Sequence, residues 1–299
     1  MSDSPLPSAP ESALPSWVAA LAERARAVDG QPPFSDQALV DARRGERRVL
    51  AIGESAVALL ASATDGPAEA EFVVDPDARR LGHGTALVET LIAESAGELL
   101  IWAHGDHPAA RALAARFGFE NVRTLLQLRA EVEVSTGTPL PEPVEGQVST
   151  RSTSKASFRP GIDDADWLAL NARAFASHPE QGSVSQSDLT DLTREPWFDA
   201  DDFLLLRDEN DTLIGYCWLK VEDGIGEFYV VGVDPDRQGS GLGRRLVAAG
   251  LARLASRGIR TAALYVEADN EPAVRLYRSF GFTDHSIDIQ YALRRFTSR

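Results

Sequence analysis

The chain has 299 residues, of which 43% are hydrophobic and 25% charged, a composition typical of a folded protein with more than one domain. Its formal net charge of -15 argues against a nucleic-acid binder, because such proteins present a basic face to the phosphate backbone. The single cysteine, Cys217, excludes a disulfide framework, and we expect a buried, inert thiol. Because neither a signal peptide nor an apolar stretch of about 20 residues is found, we expect a cytoplasmic protein without membrane contact.

The first half of the chain is predicted to alternate helices and strands after a disordered lead-in. Residues 1–15, rich in Ser, Pro and Ala, form that lead-in, and apolar spacing predicts a helix from Trp17. One further helix follows a glycine-containing loop, and another is closed by Gly118. Short apolar runs bounded by turn residues predict strands at residues 47–53, 56–63, 69–74, 98–103 and 122–132.

The second half repeats this order after a linker. Residues 135–153 are rich in Pro, Ser, Thr and Gly and are predicted to be that linker. A helix is predicted at residues 164–176, a long helix follows a second glycine loop, and a third ends near Phe282. Strands are predicted at residues 156–161, 202–208, 212–221, 225–233, 261–268 and 286–293.

An internal repeat can be counted directly. Val74 to Leu87 aligns without gaps on the segment 159 residues later, and 7 of the 14 positions are identical. The tripeptide FGF, ending at Phe119 and Phe282, is a second match in the same order. The chain is therefore predicted to be a tandem duplication of one α/β unit, with domains at residues 16–134 and 154–299.

Each repeat contains a strand that runs into alternating glycines and then into a helix. Such a loop gathers backbone N–H groups at a helix N-terminus, where partial positive charge suits a phosphate. A Walker A loop would need Gly-Lys-Ser/Thr, which neither copy has. A dinucleotide-binding motif, G-x-G-x-x-G, would need glycine where Arg244 stands, so this motif is also absent.

The loops resemble those of the GCN5-related N-acetyltransferases (GNAT), whose motif [RQ]-x-x-G-x-[GA] holds the pyrophosphate of acetyl-CoA. The resemblance implies two tandem GNAT domains, each a central mixed β-sheet flanked by helices, with acetyl-CoA as co-substrate and no metal. In the C-terminal copy it implies that the cofactor contacts Val231, Gly232, Val233, Gln238, Gly239, Ser240, Gly241, Leu242, Gly243, Arg244, Asn270 and Arg275. In the N-terminal copy it implies contacts with Phe72, Val73, Val74, Arg79, Arg80, Leu81, Gly82, His83 and Gly84.

Two side chains of the C-terminal copy are candidates for the chemistry. Glu227 lies six residues before Val233, and an even spacing places both on one face of a regular strand, although a bulge would break that parity. Glu227 is the candidate general base. The resemblance implies that Tyr277 protonates the departing CoA sulfur. It also implies that the strand with Gly232 offers N–H groups to the thioester oxygen, as an oxyanion hole does.

The N-terminal copy lacks both candidates. Ala68 stands where the repeat places Glu227, and Ala114 stands where it places Tyr277. Glu69 and Glu71 are close to the position of the base, but no tyrosine replaces the acid. We expect this copy to bind acetyl-CoA without performing chemistry.

The tandem layout and the phrases FRPGIDDADWLALNARAFASHPEQG, GEFYVVGVDP and LYVEADNEPAVRLY resemble the mycothiol synthase family. This resemblance implies a small-molecule amine substrate, Cys-GlcN-inositol, acetylated on its cysteinyl nitrogen in the last step to mycothiol, and we expect a monomer. The substrate residues that it implies are Asp36, Glu180, Lys220, Glu227 and Tyr265.

Two other functions stay open at the level of sequence. The stretch VEADNEPAVRLYRSFGF also resembles the ribosomal-protein alanine acetyltransferases, although these are usually single-domain proteins. A non-catalytic acetyl-CoA sensor is a third possibility, but the C-terminal copy keeps both Glu227 and Tyr277. The histidines show no metal-ligand spacing, and His104 and His107 are expected in a surface loop.

Overall fold

A computed structural model of the chain describes residues 14–61, 66–134, 154–176 and 179–294. Most of the predicted lead-in and the whole predicted linker lie outside these residues. The chain forms two compact units. Unit 1 comprises Met1–Leu126, Glu267–Asp269 and Ser286–Arg299, and unit 2 comprises Gln127–Val266 and Asn270–His285.

The helices and strands follow the predicted order along the chain. The helices are α1 (Ser16–Asp29), α2 (Asp36–Arg43), α3 (His83–Glu94), α4 (Pro108–Phe117), α5 (Asp164–Ala174), α6 (Pro179–Gly182), α7 (Gln186–Leu192), α8 (Leu242–Ser256) and α9 (Glu271–Arg278). The strands are β1 (Arg48–Ile52), β2 (Ala56–Ala61), β3 (Ala68–Val74), β4 (Leu99–Ala103), β5 (Glu120–Glu131), β6 (Ser154–Ser157), β7 (Phe203–Arg207), β8 (Leu213–Glu222), β9 (Ile225–Val233), β10 (Thr261–Glu267) and β11 (Thr283–Leu293).

Each unit contains a mixed sheet, as predicted. In unit 1 the strand order is β1-β2-β3-β4-β11, with β3 and β4 parallel. In unit 2 it is β5-β10-β9-β8-β7-β6, with β9 and β10 parallel. Two parallel strands connected by a helix, β3–α3–β4 or β9–α8–β10, form the unit that the duplication repeats.

The compact units are not the two continuous stretches, 16–134 and 154–299, that the sequence predicts. Residues 286–293 of β11 belong to unit 1, where β11 pairs antiparallel with β4. Residues 127–131 of β5 belong to unit 2. The last strand of each sequence repeat therefore completes the sheet that contains the other repeat's glycine loop.

The sheet of unit 1 is covered on both faces. Ala58 and Leu60 of β2 pack in the apolar cluster that includes residues of α3, whereas Val57 and Leu59 pack in the cluster that includes α1 and α2. Alternate residues of a strand point to opposite faces, so a strand buried on both faces is apolar throughout. This explains why β2 reads as one continuous apolar run.

The core of unit 2 is aromatic. The ring of Phe203 stacks on Trp218 and on Phe158, with ring centroids 4.3 Å apart in both pairs. Trp167 of α5 meets Tyr216 and Trp218 edge to face. Such pairs contribute about 0.5–1.5 kcal/mol beyond the area that they bury, so this cluster fixes α5 against the sheet.

The structure adds short helices that the sequence patterns did not indicate. Ser35 caps α2 by accepting from the Ala38 N–H, and Ser185 with Asp188 forms a capping box on α7. Helices of seven or eight residues are too short for the apolar period to stand out, and only their caps could have revealed them. No helix in the described part of the chain is long and apolar enough to cross a membrane.

Candidate active site

The parallel strands β9 and β10 separate in the middle of unit 2. Their register joins residues 225–227 to residues 261–263, and among the described residues it ends there. β9 continues to Val233 and β10 to Glu267. Val231 and Gly232 therefore lie beyond the end of the paired segment, where the opening between the strands can admit part of a ligand.

A bulge interrupts β9 beside this opening. Trp218 of β8 lies opposite Val230 and Leu219 opposite Phe228, so Tyr229 is the extra residue. Because the bulge falls between Glu227 and Val233, their even spacing does not fix a common face. Both residues are nevertheless half-buried, so Glu227 keeps some access to solvent.

Gly232 is required by close packing against a ring. A Cβ atom at this position would lie 2.5 Å from the Tyr216 ring, which is fully buried. The Tyr216 hydroxyl donates to Asn171 Oδ1 at 2.7 Å. Asn171 Nδ2 in turn donates to the Gln181 carbonyl at 2.6 Å, so one hydrogen-bond network joins β8, α5 and α6.

The C-terminal glycine loop has the backbone that an anion site needs. Asp234 caps a 3-10 turn, and Arg173 of α5 holds its carboxylate through contacts of 2.8 and 3.2 Å. Gly239 and Gly241 have φ of +76° and +83°, values that side chains disfavour, and no atom lies within 4 Å of a Cβ built on either. α8 begins at the next residue, Leu242, with its N–H groups at the open loop.

The N-terminal loop repeats this backbone 159 residues earlier. Asp75 caps the equivalent turn and accepts from Arg24 of α1, with contacts of 2.6 and 3.0 Å. Gly82 has a φ of +89°, and α3 begins at His83. Arg80 has a φ of +66° at the position equivalent to Gly239, so here a bulky residue adopts the left-handed conformation.

The last glycine of each loop has a packing role. A Cβ on Gly84 would lie 3.2 Å from Leu113 of α4, and a Cβ on Gly243 would lie 3.1 Å from Leu276 of α9. The last glycine of each loop therefore lets the next helix approach, whereas the earlier loop positions supply the backbone turn.

Unit 1 contains a cleft of about 740 Å³ at its glycine loop. Of the nine predicted N-terminal cofactor residues, Leu81 alone does not line it and is instead exposed. The residues that do are Phe72, Val73, Val74, Arg79, Arg80, Gly82, His83 and Gly84. Arg79 is held by Asp29 in a two-point contact of 2.6 and 2.8 Å.

The predicted substrate residues fall in several elements. Glu227 of β9 lies directly opposite Lys220 of β8, whose Nζ is 3.0 Å from a Glu222 carboxylate oxygen. Tyr265 lies on β10, two residues past the end of the register, and is 46% exposed. Glu180 lies in α6, whereas Asp36 is the exposed first residue of α2 and belongs to unit 1.

Aromatic residues beside Glu227 and Lys220 were missed by the sequence analysis. Lys220 Nζ lies 5.5 Å from the centroid of the Trp197 ring, which contacts Tyr229 at 5.3 Å between centroids. The pKa of Tyr229 is raised, mainly by burial and then by the negative charge of Glu227. The positive charge of Lys220 acts in the opposite direction and lowers it. The bulge that presents Tyr229 has no sequence signal, since its neighbours alternate like an ordinary strand.

The other predicted catalytic residue, Tyr277, lies in α9. Its half-buried ring contacts Phe282 edge to face at 5.7 Å between centroids. Burial, and then the nearby Cys217 thiol, raise the pKa of the Tyr277 hydroxyl above its usual value. Asn270 caps α9 by accepting from the Ala273 N–H.

Two further sequence expectations concern Arg275 and Cys217. Arg275 is exposed and pairs with Glu271 at 2.8 Å. Cys217 is buried, which confirms that part of the prediction, and burial raises the pKa of its thiol. In unit 1, Ala114 is buried at the position that corresponds to Tyr277.

The expectation that His104 lies in a surface loop is wrong. His104 lines the cleft of unit 1, with Nε2 3.3 Å from Glu71 and Nδ1 3.3 Å from Asp288 of β11. Burial alone would lower the pKa of His104, but the bonds to Asp288 and Glu71 outweigh it and raise the value to about 9. No sequence pattern indicates this cluster, because its members are far apart in the chain and meet only through strand exchange.

Glu69 and Glu71, the carboxylates near the position equivalent to Glu227, also form hydrogen bonds. Glu71 accepts from the Ser35 N–H and hydroxyl, both at 2.7 Å, and Glu69 accepts from Arg47 at 2.9 Å. Among the described residues, no group of three or more His, Cys, Asp or Glu side chains is arranged to hold a metal ion.

Comparison with known proteins gives the relatives of this chain. It is 50% identical over 282 residues to the mycothiol acetyltransferase of Clavibacter michiganensis subsp. michiganensis, a match that covers 91% of this chain and 89% of the relative. It is 45% identical over 285 residues to the mycothiol acetyltransferase of Streptomyces avermitilis, covering 92% and 90%.

Solved structures share the tandem fold. A GCN5-related N-acetyltransferase from Sphaerobacter thermophilus matches with a TM-score of 0.71 and 21% identity, covering 93% of this chain and 91% of that one. A tandem GNAT protein from the clavulanic acid biosynthesis pathway matches with a TM-score of 0.64 and 16% identity, covering 95% and 96%. The model of the acetyltransferase (GNAT) family matches residues 15–119 and again residues 167–282. The chain therefore belongs to the acetyltransferase (GNAT) family and contains two copies of its domain.

Proposed function

We propose that the protein transfers the acetyl group of acetyl-CoA to the cysteinyl amine of Cys-GlcN-inositol, the last step of mycothiol biosynthesis. The observation that carries the proposal is the 50% identity to a mycothiol acetyltransferase over 91% of the chain. The reaction is assigned to the C-terminal repeat, because only that repeat has both Glu227 and Tyr277. The protein acts in the cytoplasm as a monomer.

The glycine loop of unit 2 would hold the pyrophosphate of acetyl-CoA. No atom crowds the backbone at Gly239 and Gly241, so an anion can approach it, and the N-terminus of α8 adds partial positive charge. Gln238, Ser240 and Arg244 complete the loop, and the pantetheine would run along Asn270 and α9. The thioester oxygen would accept from the N–H groups of the strand that contains Gly232.

Proton transfer is assigned to two residues. The substrate amine has a pKa of about 8, so removing its proton costs little near neutral pH, and Glu227 can accept that proton through a water molecule. The amine nitrogen then attacks the thioester carbonyl carbon and loses its second proton to water as the amide forms. The C–S bond breaks, and the CoA sulfur leaves with the electron pair. Tyr277, whose hydroxyl is protonated at neutral pH like that of an ordinary tyrosine, gives that sulfur a proton and regains one from water.

The substrate is a sugar joined to an inositol and presents mostly hydroxyls, together with a cationic amine. Carboxylates at Glu180 and Glu227 suit the ammonium group, and Lys220 and Tyr265 can donate to hydroxyl oxygens. The family resemblance adds Asp36, the exposed first residue of α2.

The N-terminal repeat is proposed to bind acetyl-CoA without performing chemistry. Its cleft of about 740 Å³ is large enough for a substantial part of the cofactor, and the loop keeps its turn and helix N-terminus. Ala68 and Ala114 replace the base and the acid. The neighbouring carboxylates, Glu69 and Glu71, are already paired with Arg47 and His104.

A competition assay tests the substrate assignment. Acetyl-CoA is offered with Cys-GlcN-inositol and an alanine-starting ribosomal peptide in one tube, and products are read by mass spectrometry, since thiol dyes would also react with the substrate. We expect N-acetylation of the pseudo-disaccharide alone. Acetylation of the peptide alone would leave the fold and the catalytic pair intact but refute the substrate, and no turnover of any amine would favour a non-catalytic acetyl-CoA sensor.

A further inference from the structure

We infer that Gln127 is a positioning residue for the acceptor amine: its side-chain amide fixes the Tyr265 hydroxyl at the open segment of β10. The inference rests on the proposed function, in which Tyr265 contacts the substrate. Gln127 comes from β5, the last strand of the N-terminal sequence repeat, yet it belongs to unit 2.

The contact is direct and lies beside the opening between the strands. Gln127 Nε2 donates to Tyr265 Oη at 2.7 Å. Tyr265 is two residues beyond Ala263, where the β9–β10 register ends, and its side chain is 46% exposed. β5 lies beside β10 in the sheet of unit 2, on the side away from β9. The strand supplied by the other repeat therefore orders a side chain at the edge of the candidate acceptor site.

The chemistry favours a role in orientation. A tyrosine oxygen that accepts from an amide keeps its own proton for donation elsewhere, which suits a hydroxyl oxygen of a sugar or inositol. A half-exposed hydrogen bond contributes little to folding because water can replace it. A hydroxyl already held in place loses less conformational freedom when a ligand binds, so the bond should favour acceptor affinity.

The test is a double-mutant cycle in the full-length protein. Gln127→Met keeps the length of the side chain and removes the donor, and Tyr265→Phe removes the hydroxyl. We expect Gln127→Met to raise the acceptor KM about fivefold, as loss of one hydrogen bond should, while kcat and the acetyl-CoA KM stay within about twofold. In the Tyr265→Phe background, Gln127→Met should add nothing further. Glu131→Ala, at an exposed position of β5, is the control and should leave all constants unchanged.

Each other outcome counts against the inference. An unchanged acceptor KM in Gln127→Met overturns it, and so does an effect of equal size with and without the Tyr265 hydroxyl. A fall in melting temperature that accounts for the lost activity would make Gln127 merely structural. The kinetics use whichever amine the wild-type protein acetylates. If that amine is a peptide, the proposed function is refuted, but the double-mutant cycle still tests the role of Gln127. A wild-type protein that acetylates no amine overturns both.

Discussion

The two glycine loops have nearly the same backbone but different surroundings. Gly82 and Gly241 both precede a helix, with φ of +89° and +83°, and in each copy an arginine from the first helix of the repeat holds the capping aspartate. In unit 1, alanines stand at the positions equivalent to Glu227 and Tyr277. The comparison teaches that the backbone of the loop does not depend on these two side chains, since they can be absent without altering it.

The largest effect is expected when the proposed acid, Tyr277, is removed from the C-terminal copy. Tyr277→Phe should lower kcat about 100-fold while the acetyl-CoA KM stays near wild type, because the hydroxyl acts on the departing sulfur. The matched control is Tyr291→Phe, which removes a hydroxyl from the lining of the cleft in unit 1 and should leave kcat unchanged. Steady-state kinetics that find equal kcat values for Tyr277→Phe and wild type would remove Tyr277 from the acid role.

The loops themselves allow a paired substitution. Gly241→Val should raise the acetyl-CoA KM about tenfold, since a side chain in the left-handed region costs about 1–2 kcal/mol and distorts the loop. Gly82→Val places the same strain in unit 1, where no atom crowds either position, and should leave kcat and both KM values near wild type. Loss of turnover in a folded Gly82→Val protein would show that the N-terminal copy takes part in the reaction.

The charged cluster at His104 lies in unit 1 and should make the stability of the protein depend on pH. The folded-state pKa of His104, about 9, exceeds its usual 6.5, so the stabilisation is fully present below pH 6.5 and is lost as the pH rises toward 9. At about 1.4 kcal/mol per pKa unit, this amounts to about 3 kcal/mol. Denaturant unfolding at pH 6 and pH 9.5 should show that His104→Gln removes this pH dependence. His107→Gln should retain it, and a wild-type protein equally stable at both pH values would contradict the charged cluster.

The smallest expected effect concerns Arg80. Arg80→Gly should raise the stability of the protein by about 0.5–1 kcal/mol, because relief of the left-handed strain exceeds the entropy that glycine loses on folding. Activity should not change. Arg44→Gly, at a residue with a φ of -82°, relieves no strain and should not raise the melting temperature. A gain of equal size in both variants would remove backbone strain as the explanation.

Local patterns were enough to predict the strands, the longer helices and both loops. Apolar runs, glycine spacing and the FGF repeat depend on neighbours in the chain, so the order of strands and the closing Gly118, with its φ of +74°, are confirmed. The exchange of β5 and β11 could not be predicted. Both strands have similar apolar patterns and either could complete either sheet, so the choice depends on contacts between residues far apart in the chain, such as Ala103 with Ile289 and Gln127 with Tyr265.

The same limit applies to the site. The sequence indicates Glu227 and Lys220 individually, but their direct pairing depends on the register of β8 and β9. The contact of Tyr265 with Gln127, and the charge cluster at His104, depend on which strand joins which sheet. Spacing within one element carries no information of this kind.

A single-turnover isotope chase tests most directly the claim that one copy binds and reacts while the other only binds. The protein is loaded with isotopically labelled acetyl-CoA, and the acceptor amine is then added together with a large excess of unlabelled acetyl-CoA. We predict two labelled molecules bound per chain, one of which appears as N-acetylated product in the first turnover. Transfer of both labels at the same rate would contradict the assignment of chemistry to unit 2 alone, and binding of one label per chain would contradict cofactor binding by unit 1.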